Sequence, residues 1–150
     1  MTVAACASSG QAAANWLSGT QASAEYRDEA RGLTLAPGWD WPADLDYPDK
    51  VDGDDIAYEK NTGRIDAGLY WYCSWALTYV EADTDADRTT ALRQVLRLRE
   101  TKYYQIGVAT DNIPMFDAAL DSAGDDDTKL RRLIGITCSD IKESKSNDDS

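Results

Sequence analysis

The stretch AGLYWYCSWALTYV, residues 67–80, limits more than any other what this chain can become. Projected as a helix, it places Ile65, Leu69, Tyr72, Ala76 and Val80 on one face. Cys73 and Leu77 flank that face on one side, and Trp71, Trp75 and Tyr79 flank it on the other. Only a narrow polar seam at Ser74, Thr78 and Glu81 is left. A helix apolar nearly all round must be surrounded by other elements. The run is too short and too polar to cross a bilayer. The spacing predicts a central helix that covers residues 64–80 and starts near Ile56.

The enclosing elements are also helical in pattern. Residues 11–31 are rich in Ala, Gln and Glu, lack proline, and read as a helix ending at Gly32. Its thin apolar face is Ala12, Ala13, Trp16, Ala24 and Tyr26. After the acidic cap cluster at residues 83–87, a helix is expected to run to about Gln105, burying Ala91, Leu92, Val95, Leu96, Tyr103 and Ile106. Pro114 suits a first helical turn, so a short helix over residues 114–122 should use Met115, Phe116, Ala119 and Leu120. Asp125, Asp126 and Asp127 then cap a last helix whose inner residues are Leu130, Leu133, Ile134 and Cys138. No strand alternation is evident. The expectation is an all-α domain over residues 11–141, a small bundle of four to five helices around the central one. A short segment of ten residues precedes it, and a tail over residues 142–150 has nothing to bury and is expected to be disordered.

Between the first helix and the central one lies GWDWPADLDYPDKVDGDD, residues 38–55. With the residues just before it, this forms an extended Pro/Trp/Asp strap, long for a loop in a compact domain. Its aspartates invite a Ca²⁺ reading. The calcium-loop pattern fails, because with Gly53 in the glycine place the first ligand would be Pro48. In DTDADR, Arg88 stands where glycine is needed and Gln94 where the bidentate Glu belongs. A weak Ca²⁺ site in the strap is the cation reading that is left. Trp39 and Trp41, beside Asp40, Asp44 and Asp46, form the candidate interaction strap. In extended backbone residues i and i+2 point the same way, so both rings either stack on a ligand such as a glycan or lie down on the central helix as a lid.

Charge and residue types remove whole chemistries. Twenty-seven acids against fifteen bases give 150 residues a formal net charge of -12, which repels phosphate backbones and argues against nucleic acid as a partner. The chain has no histidine, which excludes Ser-His-Asp and Cys-His catalysis and His-ligated zinc. Three widely spaced cysteines make no zinc pair. Glu59 and Asp66, two helical turns apart if the central helix starts early, have the separation of a glycosidase pair. Acids near a helix start serve the dipole more often than catalysis, and no catalytic, cofactor-binding or metal-ligating residue is assigned. Arg99, in the middle of an apolar face, is expected either to snorkel or to form a buried ion pair with Glu59 or Asp66. Cys73 and Cys138 both fall on inward faces. In an exported protein they would form a disulfide, and in a cytosolic one they would be ordinary buried thiols. The short pattern V-A-A-C marks Cys6 as a candidate lipidation site, although only MTVAA precedes it.

The strap LAPGWDWP, the following Tyr58-Glu59 pair and the helix segment YWYCSWAL resemble a group of uncharacterised actinobacterial proteins. Those carry an N-terminal membrane segment and a small helical extracytoplasmic domain with such a strap and aromatic-Cys-aromatic helix. The resemblance covers roughly residues 24–80, and the missing lead-in before Cys6 is its main departure. It implies export and an N-terminal membrane anchor, but no activity. The expected function is therefore a non-catalytic, extracytoplasmic, membrane-tethered domain that contacts a protein partner at the cell surface. The alternative is a domain that binds cell-wall glycan, or hydrolyses it with carboxylates, through the strap. If Met1 is the native start, a cytoplasmic acidic adaptor is the third reading.

Overall fold

The computed structural model describes residues 15–149. The chain forms an all-α domain built around one long helix. Helix α1 is Gly19–Ala30, α2 is Thr62–Glu81, α3 is Asp85–Val95, α4 is Ile113–Ser122, α5 is Thr128–Thr137 and α6 is Ser139–Asp148. Four short strands accompany them. Strand β1 (Trp16–Leu17) pairs antiparallel with β4 (Tyr58–Glu59), and β2 (Lys50–Val51) pairs antiparallel with β3 (Asp54–Asp55).

The aromatic helix is enclosed as its composition demands. Every residue from Trp71 to Leu77 on α2 is buried, and Tyr79 joins them. The seam is not solvated along its length. Ser74 is fully buried because its hydroxyl accepts the Ala36 N–H of the strap at 3.2 Å and donates to the Trp71 carbonyl at 2.8 Å. At the ends of the expected face, Val80 is exposed and Ile65 and Leu69 are half-buried.

Helix α2 begins at Thr62 rather than near Ile56. Tyr58 and Glu59 are taken into β4, and Asn61 adopts a left-handed backbone with φ 77° that no helix continues through. Asn61 makes no side-chain cap. Instead Glu25 of α1 accepts the Asn61 N–H at 3.0 Å and the Gly63 N–H at 3.3 Å, a carboxylate at the positive helix end supplied from a neighbouring element. Gly63 makes this crossing feasible. A Cβ there would stand 2.2 Å from the Ala22 carbonyl oxygen and 2.6 Å from the Tyr26 nitrogen.

Three other expectations are corrected. Helix α1 starts at Gly19, not at residue 11, because Ser18 and Gln21 form a reciprocal capping box. Trp16 is consequently an exposed strand residue, Ala24 is exposed, and Ala22 and Tyr26 carry the buried face; Ala12 and Ala13 lie outside the described residues. The helix expected to reach Gln105 stops at Val95, followed by a 3₁₀ turn at Leu98–Glu100 and a wide π turn at Tyr103–Gly107. The Thr101 hydroxyl donates to the Leu98 carbonyl and accepts the Tyr104 N–H, local bonds that compete with the helical ladder. The bend lets Thr101 and Tyr103 lie against Gly68 of α2. It buries Leu98 and leaves Leu96 and Ile106 exposed.

The third correction concerns the tail. It is helix α6, with Ile141 packed against the core. In α4 the inner residues are Phe116, Ala119 and Leu120, while Met115 is exposed. In α5, Leu130, Leu133 and Ile134 are buried, as is Cys138 just beyond it. Cys138 is bonded to Cys73, tying the end of α5 to the middle of α2 across a separation of 65 residues.

Candidate functional site

The strap crosses α2 on a series of bonds that its own composition explains. Trp71 and Trp75, one helical turn apart, both donate their indole N–H to the Thr34 carbonyl at 2.9 Å. Tyr70 donates its hydroxyl to the Asp40 carbonyl at 2.8 Å. Further along, the Tyr47 hydroxyl donates to Asp66 at 2.6 Å, and Asp49 accepts both the backbone N–H and the hydroxyl of Thr20 at 3.1 Å. Gly19 lies so close that a Cβ would meet the Tyr47 carbonyl oxygen at 2.0 Å. The strap ends in the hairpin β2–β3, whose turn residues Asp52 and Gly53 both have positive φ (53° and 86°), as an Asp-Gly hairpin turn requires.

Six rings run along the strap and the helices beneath it. Trp39 meets Tyr70 edge-on at 5.8 Å, Trp41 meets Tyr70 at 5.5 Å, and Trp41 meets Tyr26 edge-on at 5.7 Å. Tyr26 then approaches Tyr47 at 6.5 Å, and Tyr47 meets Tyr58 at 5.6 Å. Such edge-to-face spacings are favourable beyond the area they bury. Burial pushes the hydroxyls of Tyr26 and Tyr47 well above the usual tyrosine range, so both are uncharged, and Tyr47 donates to Asp66.

Trp39 and Trp41 are half-buried, and they do face the same side. Both rings contact Tyr70, and together with it they line a cleft of about 470 Å³ that also includes Asp40, Lys145 and Asp148, among others. Burial raises the Tyr70 hydroxyl, and the carboxylates of Asp148 and Asp40 raise it further, which places negative charge beside the rings. Lys145 of α6 sets its ammonium 4.8 Å from the Trp39 ring centre and 3.5 Å from an Asp149 carboxylate oxygen. Asp44 and Asp46 are exposed on the strap and do not line this cleft. The strap is thus lid on its inner side and wall of a hollow on its outer side.

The chain matches no family model, no curated protein and no solved structure.

The remaining candidates are placed as follows. Arg99 does not pair with Glu59 or Asp66. The bend after α3 turns it toward α4, where it meets Asp117 and Asp121, each at 3.0 Å. Tyr104 adds its hydroxyl to Asp117 at 2.6 Å, and this bond together with Arg99 holds the Asp117 carboxyl below the usual range. Asp66 is bonded to Tyr47, and its carboxyl is raised by burial against the opposing pull of that bond. Glu59 is exposed on β4. Cys6 lies outside the described residues. Among the described residues, no three acidic or cysteine side chains come together as a metal site, and no helix is long and apolar enough to cross a membrane.

Sequence reasoning did not single out Tyr70, Lys145 or Asp148. Tyr70 was read only as part of an apolar helix. The other two fall in the segment read as disordered, although Ile141 and Lys145 stand one helical turn apart, a faint helical signal.

Proposed function

We propose that this chain is a non-catalytic extracytoplasmic domain, tethered to the membrane through its N-terminus, which engages a partner protein through the aromatic cleft of its strap. The observation that carries the reading is the division of labour among the indoles. Trp71 and Trp75 are bonded down to Thr34, whereas Trp39 and Trp41 turn an open, acid-rimmed surface outward. Aromatic rings with few charged neighbours in a concave site are the usual anchors of recognition. The Cys73–Cys138 bond supports export, because such bonds persist in oxidising compartments. The tether is supported by V-A-A-C and by the resemblance of the strap and aromatic helix to anchored proteins.

A photo-crosslinking residue placed at Ala43, an exposed position on the cleft lining, in the chain expressed in its own host tests the reading, with one at Arg132, outside the cleft, as comparison. A discrete crosslinked species from position 43 and none from position 132 is expected. No product from position 43, or the same product from both, contradicts it. Thiol titration of the unfolded, unreduced chain from that host should find at most one free thiol; three would place it in a reducing compartment.

A second reading, glycan binding, is supported by the same two indoles beside Asp40. It predicts that soluble glycan fragments shift the tryptophan fluorescence.

A further inference from the structure

The cleft's own wall supplies a cation to one of its rings. The Lys145 ammonium lies over Trp39 at cation–π distance, with the Asp149 carboxylate as its second partner. Trp39 also borders a second hollow of about 440 Å³, reached by the same Lys145 and carrying Glu81, Asp83 and Asp87. Carboxylates therefore gather on both sides of one indole, in a chain whose net charge is -12. Aromatic faces beside acids, in a field of this sign, attract and hold cations. A sugar could also use these rings and carboxylates, but the one group set over the Trp39 face is a cation.

The helix that carries Lys145 lies on the outside of the core. Helix α6 has no buried residue, and half-buried Ile141 packs against the core. Lys145 keeps about a third of its side chain exposed. Such an element can give way locally without unfolding the domain.

We propose that the Trp39–Trp41–Tyr70 cleft is a recognition site for a lysine side chain of the partner, and that Lys145 is a resident competitor which the partner's ammonium displaces. The proposal rests on the cleft being the interaction face, and it names the group that enters. Ring quadrupoles and the carboxylates of Asp40 and Asp148 select positive charge. The self-occupied cleft lowers the affinity of any single lysine, so a partner must bring a cation together with further contacts. No covalent step is involved.

The test uses the full chain and two small probes, Nα-acetyl-lysine amide and the same molecule acetylated on its Nε, read by the indole N–H signals of Trp39 and Trp41. The charged probe should move both signals and saturate. The neutral probe should leave them still. Lys145→Ala should tighten binding of the charged probe by about two- to fivefold, the release of one exposed cation–π contact. Lys145→Arg should bind as the parent does. Equal response to both probes, or no response to the charged probe in Lys145→Ala, overturns the proposal. So does a glycan fragment that moves these signals where the lysine probe does not. A crosslink from position 43 accompanied by a silent lysine probe would leave the interaction face standing and remove only the lysine.

Discussion

Thirteen of the fourteen aromatic side chains carry a polar handle, since eight are tyrosine, five tryptophan and one phenylalanine. A buried ring of that kind must find a partner for its N–H or O–H. Trp71, Trp75, Tyr70 and Tyr58 use strap carbonyls, Tyr47, Tyr79 and Tyr104 use single aspartates and Tyr72 uses the Thr137 hydroxyl, so these rings fix positions as well as filling space. The aspartates respond according to their surroundings. The Tyr79 hydroxyl and Arg131 hold the Asp127 carboxyl below its usual value, so its contribution is present above the unfolded pKa of about 3.9 and is lost as pH falls through the lower folded value. Asp66 has the opposite sign. Burial raises it, so the stability linked to its protonated form is lost as pH rises through its folded value. Urea midpoints should therefore show Asp127→Asn flattening the acid limb of the stability curve. Asp66→Asn should be at least as stable as the parent at neutral pH, with the difference shrinking below about pH 4. Glycines give a second contrast. Gly63→Ala must displace backbone of α1 and should cost about 3 kcal/mol. Gly135→Ala, on an α5 surface with nothing within 4 Å, should stabilise by about 0.5–1 kcal/mol.

Among the described residues, one covalent crosslink joins α2 to the end of α5. Both sulfur-bearing residues are at most 1% exposed, so reductant should reach the bond only through unfolding. Replacing both cysteines by alanine should lower stability by roughly 4 kcal/mol, the chain-entropy value for a loop of this length, measured as a fall in urea midpoint without reductant. How much of this could be read in the sequence depended on whether the cause was local. The apolar circumference of α2 and the inner face of α5 are statements about spacing within one helix, and both stand. The capping box at Ser18–Gln21 and the Asp52-Gly53 turn are also local signals, but each is short beside the longer helical and loop patterns that contain it. The start of α2 had no local signal, because its cap comes from Glu25 on another helix. The sequence leads one to expect Arg99 either to snorkel or to form a buried pair with Glu59 or Asp66, whereas it pairs with Asp117 and Asp121 and stays partly exposed. Its partners depended on a bend caused by Thr101 bonding to its own backbone and by Gly68 receiving it. The cleft was half legible: the two indoles and Asp40 could be named, but Tyr70, Lys145 and Asp148 are assembled from elements 30 and more residues away.

At the scale of the whole molecule, an acidic all-α domain uses one long segment twice. Facing inward, the strap completes the enclosure of α2 through Thr34, Ala36 and Asp40; facing outward, it forms an aromatic wall with carboxylates at its rim. The proposed function needs both halves at once. Hydrogen exchange at the five indole N–H groups, followed by NMR, separates them in one experiment. Trp71 and Trp75 are buried and bonded to Thr34, whereas Trp39 and Trp41 are half-buried at the cleft. Slow exchange is expected for the first pair, limited by opening of the strap, and fast exchange for the second. Trp39 and Trp41 protected as strongly as Trp71 and Trp75 would make the strap a sealed lid with no site, and rapid exchange of all four would mean that the strap does not close on the helix.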